Sequence, residues 1–529
     1  MSRSVVMNAK MPAKARHVQQ QSCTRVKSII AVAYGPIFVL ILQIGSALCC
    51  NAQSGRDRTT QMTFSEMLGE AGDIRECYAA VQQWVDETGI EGLHRRLGEA
   101  EAIFRRIGIT FAVYGEGGDP ERLIPFDLLP RIFTAMEWQR LEAGIRQRAA
   151  ALNAFLLDVY NRGEIIRAGI VPGQIVYQNS AYKPEMAGFT PPGRVYSHIV
   201  GIDIVRTGLD DFMVLEDNCR TPSGVSYMLE NREIMTRMFP ELFARGSVAP
   251  VDDYPSQLLR SLQEVAPPAC QDKPQVVVLT PGSFNSAYYE HSYLADLMGV
   301  ELVEPADLFV DEGLVYMKTT SGPSRVDVIY RRIDDDFIDP LAFRADSLLG
   351  VPGIFNAYRA GGVTLCSAPG AGIADDKAVY VYVPEMIRFY LGESAILQNV
   401  PTWQCGRPDD FAYVMDHLAE LVVKEVHGSG GYGMLIGPQA SAAEIETYAA
   451  RIRANPAEFI AQPTLDLSTS PTLGQTGLVQ RHVDFRPYCL VGQEIRLVPG
   501  GLTRVALAEG SLVVNSSQGG GVKDTWVLR

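Results

Sequence analysis

The chain has 529 residues, of which 47% are hydrophobic and 20% charged, so its composition is that of a folded globular protein rather than a disordered one. The net charge of −14 argues against broad binding to nucleic acid or to an anionic membrane, because both require a positive field. The 9 cysteines form no C-x-x-C pair and no cluster with histidine, which argues against zinc and favours a reducing compartment.

The N-terminal segment has the pattern of a signal peptide or of a single membrane anchor. An uncharged apolar run at residues 29–50 follows a stretch of scattered lysines and arginines. In isolation, this charge distribution would keep the N-terminus inside and send the following chain outward. Residues 1–61 are nevertheless expected to lie outside the folded protein, because the motifs described below all follow this segment.

The first half of the chain predicts helices followed by strands. Residues 62–150 are expected to form an N-terminal helical region, and apolar residues spaced three or four apart continue this pattern over residues 127–160. Residues 197–224 read as strand, turn, strand and loop, within a segment that spans residues 151–270. The prolines at 250–274 predict a connector.

The second half predicts an α/β unit and then a mixed region. Residues 271–373 follow the order strand, helix, strand, which is typical of a parallel layer. Residues 374–529 are expected to begin with a helix and to contain two strands joined by a glycine loop. A capping box at Ser441 to Glu444 predicts a further helix, and the sequence FIAQP predicts a strand after it.

The glycine loop GSGGYG, residues 428–433, satisfies the pattern G-x-G-x-x-G but fits none of its usual settings. A dinucleotide fold needs a helix directly after the glycines, whereas YGMLIGP predicts a strand. A Walker A loop ends in Lys-Ser/Thr, this loop ends in Met434, and the kinase triplets are absent. Glycines can still let the backbone cradle a phosphate, with Lys424 as a nearby positive charge. From this stretch alone, a flexible hairpin with a surface lysine is the preferred interpretation.

Three oxygen-bearing side chains are expected to meet on the predicted hairpin at 197–224. Glu216 and Asn218 are two residues apart on one strand and therefore point to the same face. Asp203 falls within about one residue of the position opposite Glu216. Two carboxylates and an amide oxygen suit Mg²⁺, although an exposed acidic hairpin is the simpler alternative. Lys377 lies near the start of a predicted helix, where the helix dipole disfavours cations. Its side chain therefore faces either an anion or solvent.

Together these residues resemble the ATP-grasp enzymes. That family combines two lysines, a small-residue loop, a hinge strand beside the adenine and a Glu-x-Asn metal pair, which match Lys377, Lys424 with GSGGYG, FIAQP and EDN. The metal pair precedes both lysines here, and this order resembles the circularly permuted branch that includes proteins like glutathionylspermidine synthetase. Further strings over about residues 64–529 resemble its type 2 group: PFDLLPR, EDNCRTPSG, LTPGSFNSAYYEH, VIYRRIDDDF, ADDK, GSGGYGML and NSSQGGG.

The resemblance implies an α/β (α+β) class fold, a circularly permuted ATP-grasp fold with a Rossmann-like pre-ATP-grasp unit at 271–373 and an N-terminal helical region. It implies ATP and Mg²⁺ as cofactors, with the nucleotide lying between two antiparallel β layers. Asp203, Glu216 and Asn218 would hold the metal, and Gln462 and its neighbours would meet the adenine. The phosphates would be bound by Lys377, Lys424, Gly428, Ser429, Gly430, Gly431 and Gly433.

Several other residues are candidates for roles that the motifs leave open. Arg486 could steady an acylphosphate or form an ordinary salt bridge, and Arg220 has the same two interpretations. Residues 285–291 are the candidate acceptor pocket because they follow a strand of the α/β unit. His291 and His427 are either catalytic bases or structural histidines. Asn515 and residues 519–521, near the C-terminus, either approach a ligand or form a turn.

The implied reaction is amide formation. The γ-phosphoryl group would pass to a carboxylate, and an amine would attack the acylphosphate, so the partners would be small-molecule or peptide carboxylates and amines, without nucleic acid. Such a reaction needs cytoplasmic ATP, so we expect a cytoplasmic enzyme that begins near Met62, with no stable membrane association. Two alternatives stay open: an ATP-binding component of reduced activity in a multi-protein system, and a phosphotransferase that stops at the phosphorylated product.

Overall fold

The computed structural model describes residues 63–69, 71–107, 110–112, 121–123, 125–245, 248–428, 433–514 and 520–529. The apolar run at 29–50 lies outside these ranges, as do Ser429, Gly430, Gly431 and Asn515, so the predictions that concern them stay predictions. Within the described ranges, none of the helices combines the length and the apolar character that crossing a membrane requires.

Helices and strands alternate irregularly along the described chain. The α-helices there are α1 (Ala79–Ile107), α2 (Ala135–Tyr160), α3 (Glu164–Arg167), α4 (Gly173–Tyr177), α5 (Val225–Met238), α6 (Pro240–Arg245), α7 (Tyr254–Gln263), α8 (Tyr288–Met298), α9 (Ile354–Arg359), α10 (Lys377–Tyr380), α11 (Val383–Leu391), α12 (Pro408–His417) and α13 (Ala442–Ala454). The strands there are β1 (Thr110–Ala112), β2 (Glu121–Leu123), β3 (Phe126–Phe133), β4 (Ile199–Arg206), β5 (Phe212–Asn218), β6 (Val276–Leu279), β7 (Glu301–Val303), β8 (Leu308–Asp311), β9 (Leu314–Thr319), β10 (Gly322–Val326), β11 (Val328–Arg331), β12 (Thr364–Cys366), β13 (Gln398–Asn399), β14 (Trp403–Gln404), β15 (Leu421–Glu425), β16 (Leu435–Ile436), β17 (Phe459–Pro463), β18 (Thr469–Leu473), β19 (Leu478–Arg486), β20 (Tyr488–Val491), β21 (Ile495–Leu497), β22 (Leu502–Val505) and β23 (Gly521–Val527).

The largest sheet joins strands from distant parts of the chain. Its main order is β13-β5-β4-β19-β22-β23-β3, and β18, β20 and β21 pair at its side. This sheet draws strands from three of the predicted segments, 62–150, 151–270 and 374–529. From Thr63 to Arg529 the chain forms one compact unit, so these segments share a core instead of standing apart.

Two stretches differ from the sequence prediction. The start of the expected helix over residues 127–160 is strand β3, all eight residues of which are buried, so it lacks the alternating pattern that would reveal a strand. Pro130 is tolerated there because β3 is an edge strand with a break in its pairing to β23. The expected connector contains helix α7, because Pro255 occupies a first-turn position whose N–H needs no partner.

The α/β unit has the predicted order. Strands β12, β11, β6 and β7 form a parallel sheet, and helix α8 connects β6 to β7. All four residues of β6, three valines and one leucine, are buried, as expected for a parallel strand that is covered on both faces.

A smaller antiparallel sheet, β14-β17-β15-β16, carries the predicted lysine strand and hinge strand. The capping box at Ser441 is present and begins helix α13, which covers one face of this sheet with α12. Leu421 and Val423 pack into that covered core. Side chains alternate along a strand, so Val422 and Lys424 face the opposite side, toward the large sheet.

Candidate functional site

The hairpin of β4 and β5 brings the predicted metal residues together. Asp203 pairs directly with Glu216 across the two strands, as the spacing predicted. Glu216 and Asn218 point to one face, whereas Asp217 between them points away. Asp217 forms a buried ion pair with Arg148 of α2, with Nε–Oδ1 and Nη2–Oδ2 distances of 2.6 and 2.7 Å. This pair fixes the strand so that Glu216 and Asn218 face a cavity.

Asp203 is held in a buried cluster with two arginines. Arg486 and Arg504 each donate to Asp203 Oδ2 at 2.7 Å, and Arg486 also donates to Oδ1. Arg504 donates from Nε to Oδ1 of Asp484 at 2.9 Å. Burial alone would raise the pKa of Asp203, but the two arginines outweigh it and hold that pKa well below its usual range. Asp203 is therefore ionised and already paired.

These contacts bear on the predicted magnesium site. In the described part of the chain, no three side chains among histidines, cysteines and acidic residues are grouped to hold a metal ion. Glu216 is open, with its carboxylate oxygens 3.8 Å from Lys377 Nζ and 3.9 Å from Arg486 Nη2. The Asn218 amide nitrogen is buried and has no hydrogen-bond partner among the described residues. The side-chain oxygens of Glu216 and Asn218 are the donor type that a hard-oxygen site requires, whereas both oxygens of Asp203 already accept from arginines.

The two predicted lysines lie on opposite sides of the same space. Lys424 is buried and donates to the Gln462 side-chain oxygen at 2.7 Å. Its burial lowers the pKa to about 8, with Lys377 adding to the effect and Glu216 opposing it. Lys377 begins α10, as predicted, and donates to the carbonyl oxygen of Gly428. Two ammonium groups are therefore held near each other with one nearby carboxylate, an arrangement that suits an anion.

Gln462 lies in the strand that was expected to be the hinge strand, but the oxygen and the nitrogen of its side-chain amide both form hydrogen bonds within the protein. It accepts from Lys424 and donates to Thr402 Oγ1 at 3.0 Å. A cavity opens beside it between the small and large sheets. We refer to it as the apolar cavity, because much of its wall is aliphatic: Val205, Leu215, Val400, Leu465, Leu467 and Leu512. No motif in the sequence pointed to this wall, although some of these residues show the alternation of half-buried strands.

The glycine loop is described only at its two ends. Gly428 lies in the wall of the apolar cavity, and Gly433 has a φ of 69°, a conformation that favours glycine. Strands β15 and β16 on either side are antiparallel, as the hairpin prediction required. At the C-terminal glycines, Gly521 begins β23.

A second cavity adjoins the first, and we refer to it as the polar cavity. It extends from Asn218 to Arg220 and Tyr227 on one side and to Asp375 and His427 on the other. Four residues line both cavities: Glu216, Lys377, Gly428 and Arg504. The two cavities therefore meet where the predicted metal pair and phosphate-binding residues converge.

Arg220 and Asp375 stand in the wall of the polar cavity. Arg220 is 3.4 Å from Asp334 and 3.7 Å from Asp375, and its buried Nε has no hydrogen-bond partner among the described residues. Asp375 accepts from the backbone N–H groups of Cys219 and Arg220. Burial raises the pKa of Asp375 to about 7 even though Arg220 opposes the change. Arg220 was a candidate from the sequence, whereas Asp375 was not, although it lies in the string ADDK.

The two candidate histidines have different surroundings. His291 is buried, with Nδ1 2.9 Å from Thr280 Oγ1, and burial together with nearby Arg332 lowers its pKa to about 2. His427 lines the polar cavity, and a contact of 2.9 Å to buried Asp376 raises its pKa. His291 is thus a structural histidine, whereas His427 remains a candidate base.

The expected acceptor segment, residues 285–291, lines neither of the two cavities. Its contribution is indirect. Glu290 in α8 accepts from the backbone N–H of Gly224 at 2.7 Å and from that of Ser226 at 3.2 Å, and Arg332 donates to it at 3.1 Å. These contacts anchor the loop after β5, and that loop forms part of the polar cavity.

The chain matches the family described as circularly permuted ATP-grasp type 2 over residues 130–506. An uncharacterized protein of Synechocystis sp. is 53% identical over 467 residues, which cover 88% of this chain and 97% of the relative. A protein of Frankia casuarinae, provisionally named a glutamate–cysteine ligase, is 42% identical over 88% of this chain, but this match covers only 54% of the relative.

One solved structure has the same fold at low sequence identity. It is a glutathione synthetase-like effector from Globodera pallida in its apo form. The TM-score is 0.53 at 10% identity, and the match covers 83% of this chain and 98% of that chain. The likeness therefore supports the predicted α/β fold, and the family match supports its circular permutation. Together with these relatives, the match over residues 130–506 shows that the chain belongs to the circularly permuted ATP-grasp type 2 family.

Proposed function

We propose that the protein is an ATP-dependent carboxylate–amine ligase that works through an acylphosphate. The observation that carries the proposal is the junction of the two cavities at Glu216, Lys377, Gly428 and Arg504. An apolar cavity suits a nucleotide base, a polar cavity suits a carboxylate and an amine, and the cations at the junction suit phosphate groups. The family and the ligase name of the Frankia relative support an ATP-dependent ligase.

The charged and polar groups at the junction and beside it have distinct tasks in this proposal. Lys424 and Lys377 bind phosphate oxygens, and Lys424 does so strongly because its ammonium is poorly solvated. Glu216 and Asn218 would hold Mg²⁺, which would offset the negative charge of the phosphate groups. Arg486 and Arg504 extend the positive wall toward the polar cavity and stabilise the phosphoryl group in transfer.

The proposed reaction has two steps. A carboxylate bound in the polar cavity beside Asn218 attacks the γ-phosphorus, the bond to the ADP oxygen breaks, and an acylphosphate forms. An amine from the same cavity then attacks the acyl carbon and displaces phosphate. A reaction that consumes ATP is expected to take place in the cytoplasm, and its partners would be small molecules or peptides.

The test is ADP release by the purified full chain with ATP, Mg²⁺ and a panel of carboxylates, with hydroxylamine as the nucleophile. We expect one carboxylate to stimulate ADP release and to yield a hydroxamate, and we expect Glu216→Ala to abolish both. A stable phosphate ester in place of the hydroxamate would favour a phosphotransferase. ATP binding without carboxylate-dependent ADP release would favour a component of reduced activity, and either result would refute the ligase proposal.

A further inference from the structure

Three polar side chains lie in a row across the small sheet, and the row ends at Lys424. Gln462 in β17 lies diagonally opposite Lys424 in the register of β15 and β17. Across the other edge of β17, Trp403 of β14 pairs with Ala461. Thr402 directly precedes Trp403 and therefore lies opposite Gln462. Because directly and diagonally opposite residues of paired strands share a face, the three side chains meet on one side of the sheet.

Hydrogen bonds join this row in a single direction. The Lys424 ammonium donates to the Gln462 side-chain oxygen at 2.7 Å, and the Gln462 side-chain nitrogen donates to Thr402 Oγ1 at 3.0 Å. Thr402 Oγ1 in turn donates to the backbone carbonyl oxygen of Val400 at 2.8 Å. We refer to these four residues as the Lys424 row. The direction is fixed at both ends, because an ammonium can only donate and a carbonyl oxygen can only accept.

The orientation of the Gln462 amide depends on this arrangement. An amide that turned over would place its NH₂ group against the Lys424 ammonium, so that two donors would face each other without an acceptor. Gln462 is 2% exposed and Lys424 is 8% exposed, so little water is present to replace a lost partner at either group. Thr402 therefore determines, through Gln462, where the Lys424 ammonium lies.

We propose that Thr402 and Gln462 are positioning residues, which hold the Lys424 ammonium in the place where it binds the phosphates of ATP. The inference rests on the proposed function, in which Lys424 binds phosphate, and adds two residues that act through it. Gln462 and Lys424 line the apolar cavity, whereas Thr402 lines neither cavity. Thr402 thus acts on the nucleotide only through its two neighbours. In this assignment the Gln462 amide is used within the protein, whereas the family resemblance places it at the adenine.

Calorimetry of the full chain with a non-hydrolysable ATP analogue and Mg²⁺ measures the effect on binding. Thr402→Val keeps the shape of the side chain but removes the hydroxyl, so the affinity for the analogue should fall about tenfold or more. Thr402→Ser keeps the hydroxyl and should bind within about threefold of the unmodified protein. Thr447→Val is the matched control and should leave the affinity unchanged. Thr447 is exposed, lines neither cavity and also donates to a backbone carbonyl oxygen at 2.8 Å, that of Ala443.

A second measurement separates positioning from a general loosening of the fold. NMR titration of ¹³Cε-labelled lysine gives the pKa of Lys424 without nucleotide, with the signal assigned by its absence from Lys424→Met. Burial is the main cause that lowers this pKa to about 8, and the charged groups that act on it are Glu216, Lys377 and Asp203. Thr402→Val should lower the pKa of Lys424 further, because its charged form loses an ordered acceptor. A loosened fold would admit water and would instead raise that pKa toward the usual 10.5.

The outcomes separate the two proposals. The inference is overturned if Thr402→Val binds the ATP analogue as tightly as the unmodified protein does, or if Thr402→Ser binds as weakly as Thr402→Val. It is also overturned if the pKa of Lys424 stays the same or rises in Thr402→Val. The ligase function alone fails if the unmodified protein binds the analogue but forms no hydroxamate. Absence of analogue binding by the unmodified protein would refute both proposals.

Discussion

Replacing Lys424 with methionine should stabilise the protein at neutral pH and remove its ability to bind ATP. The pKa of Lys424 falls from the usual 10.5 to about 8, mainly through burial. At about 1.4 kcal/mol for each pKa unit, the folded state charges this lysine at a cost of about 3 kcal/mol relative to the unfolded chain. Methionine removes that cost, and the Gln462 oxygen loses its donor at a cost of about 1 kcal/mol. The net gain at pH 7 is about 2 kcal/mol.

The pH dependence of this gain has a definite sign. A lysine whose pKa is lowered in the folded state destabilises that state fully below about pH 8, and the penalty disappears as the pH rises toward 10.5. The advantage of Lys424→Met should therefore shrink above pH 8. It should reverse near pH 10.5, where only the lost hydrogen bond remains. Other titrating groups are common to both proteins and cancel in the difference.

Urea unfolding of both proteins at pH 7 and pH 10 measures this difference, and calorimetry with an ATP analogue measures binding. The matched control is Lys318→Met, because Lys318 is exposed and its loss should change stability by no more than about 0.5 kcal/mol. The reasoning is refuted if Lys424→Met is the less stable protein at pH 7, or if its stability gap does not change with pH. Retained binding of the ATP analogue would refute the assigned phosphate contact.

Other predictions concern the hairpin and the support of the glycine loop. Glu216→Ala should lower the rate of carboxylate-dependent ADP release at least about a hundredfold, whereas Asp210→Ala on the exposed turn of the same hairpin should leave that rate unchanged. Equal rates in the two variants would show that Glu216 is not part of the site. Asp203→Asn should cost about 3 kcal/mol or more because it leaves Arg486 and Arg504 partly unpaired. This loss of stability should shrink as the pH falls below the ordinary aspartate pKa of 3.8, because the pKa of Asp203 is lowered in the folded protein and the unfolded chain takes up the proton first. A loss of stability in urea unfolding that does not change with pH would contradict the ion-pair explanation. Gly437→Ala should destabilise by at least about 2 kcal/mol, because a Cβ there would lie 2.1 Å from the Leu418 carbonyl oxygen, and an unchanged melting temperature would contradict this packing.

The sequence could predict the site most fully where its residues lie close together in the chain. Glu216 and Asn218 share a strand, so period-two alternation places them on one face, and a short turn brings Asp203 opposite. The same reasoning predicted the lysine strand, the glycine hairpin and the parallel α/β unit. It failed for β3 because a fully buried strand has no alternation, and for α7 because a proline is permitted at the first turn of a helix.

What the sequence determined by itself is therefore local: the elements, the faces of their side chains and the order of motifs that indicates a permuted family. Only the tertiary structure could decide that Asp203 is paired by arginines some 280 and 300 residues away, since the intervening loops leave such contacts unspecified by local pattern. It also shows that residues 285–291, the expected acceptor segment, line neither of the two cavities. The physical reason is that the burial of a site residue and the charges around it are contributed by several helices and strands. Those contributions are present only after the sheets have packed together.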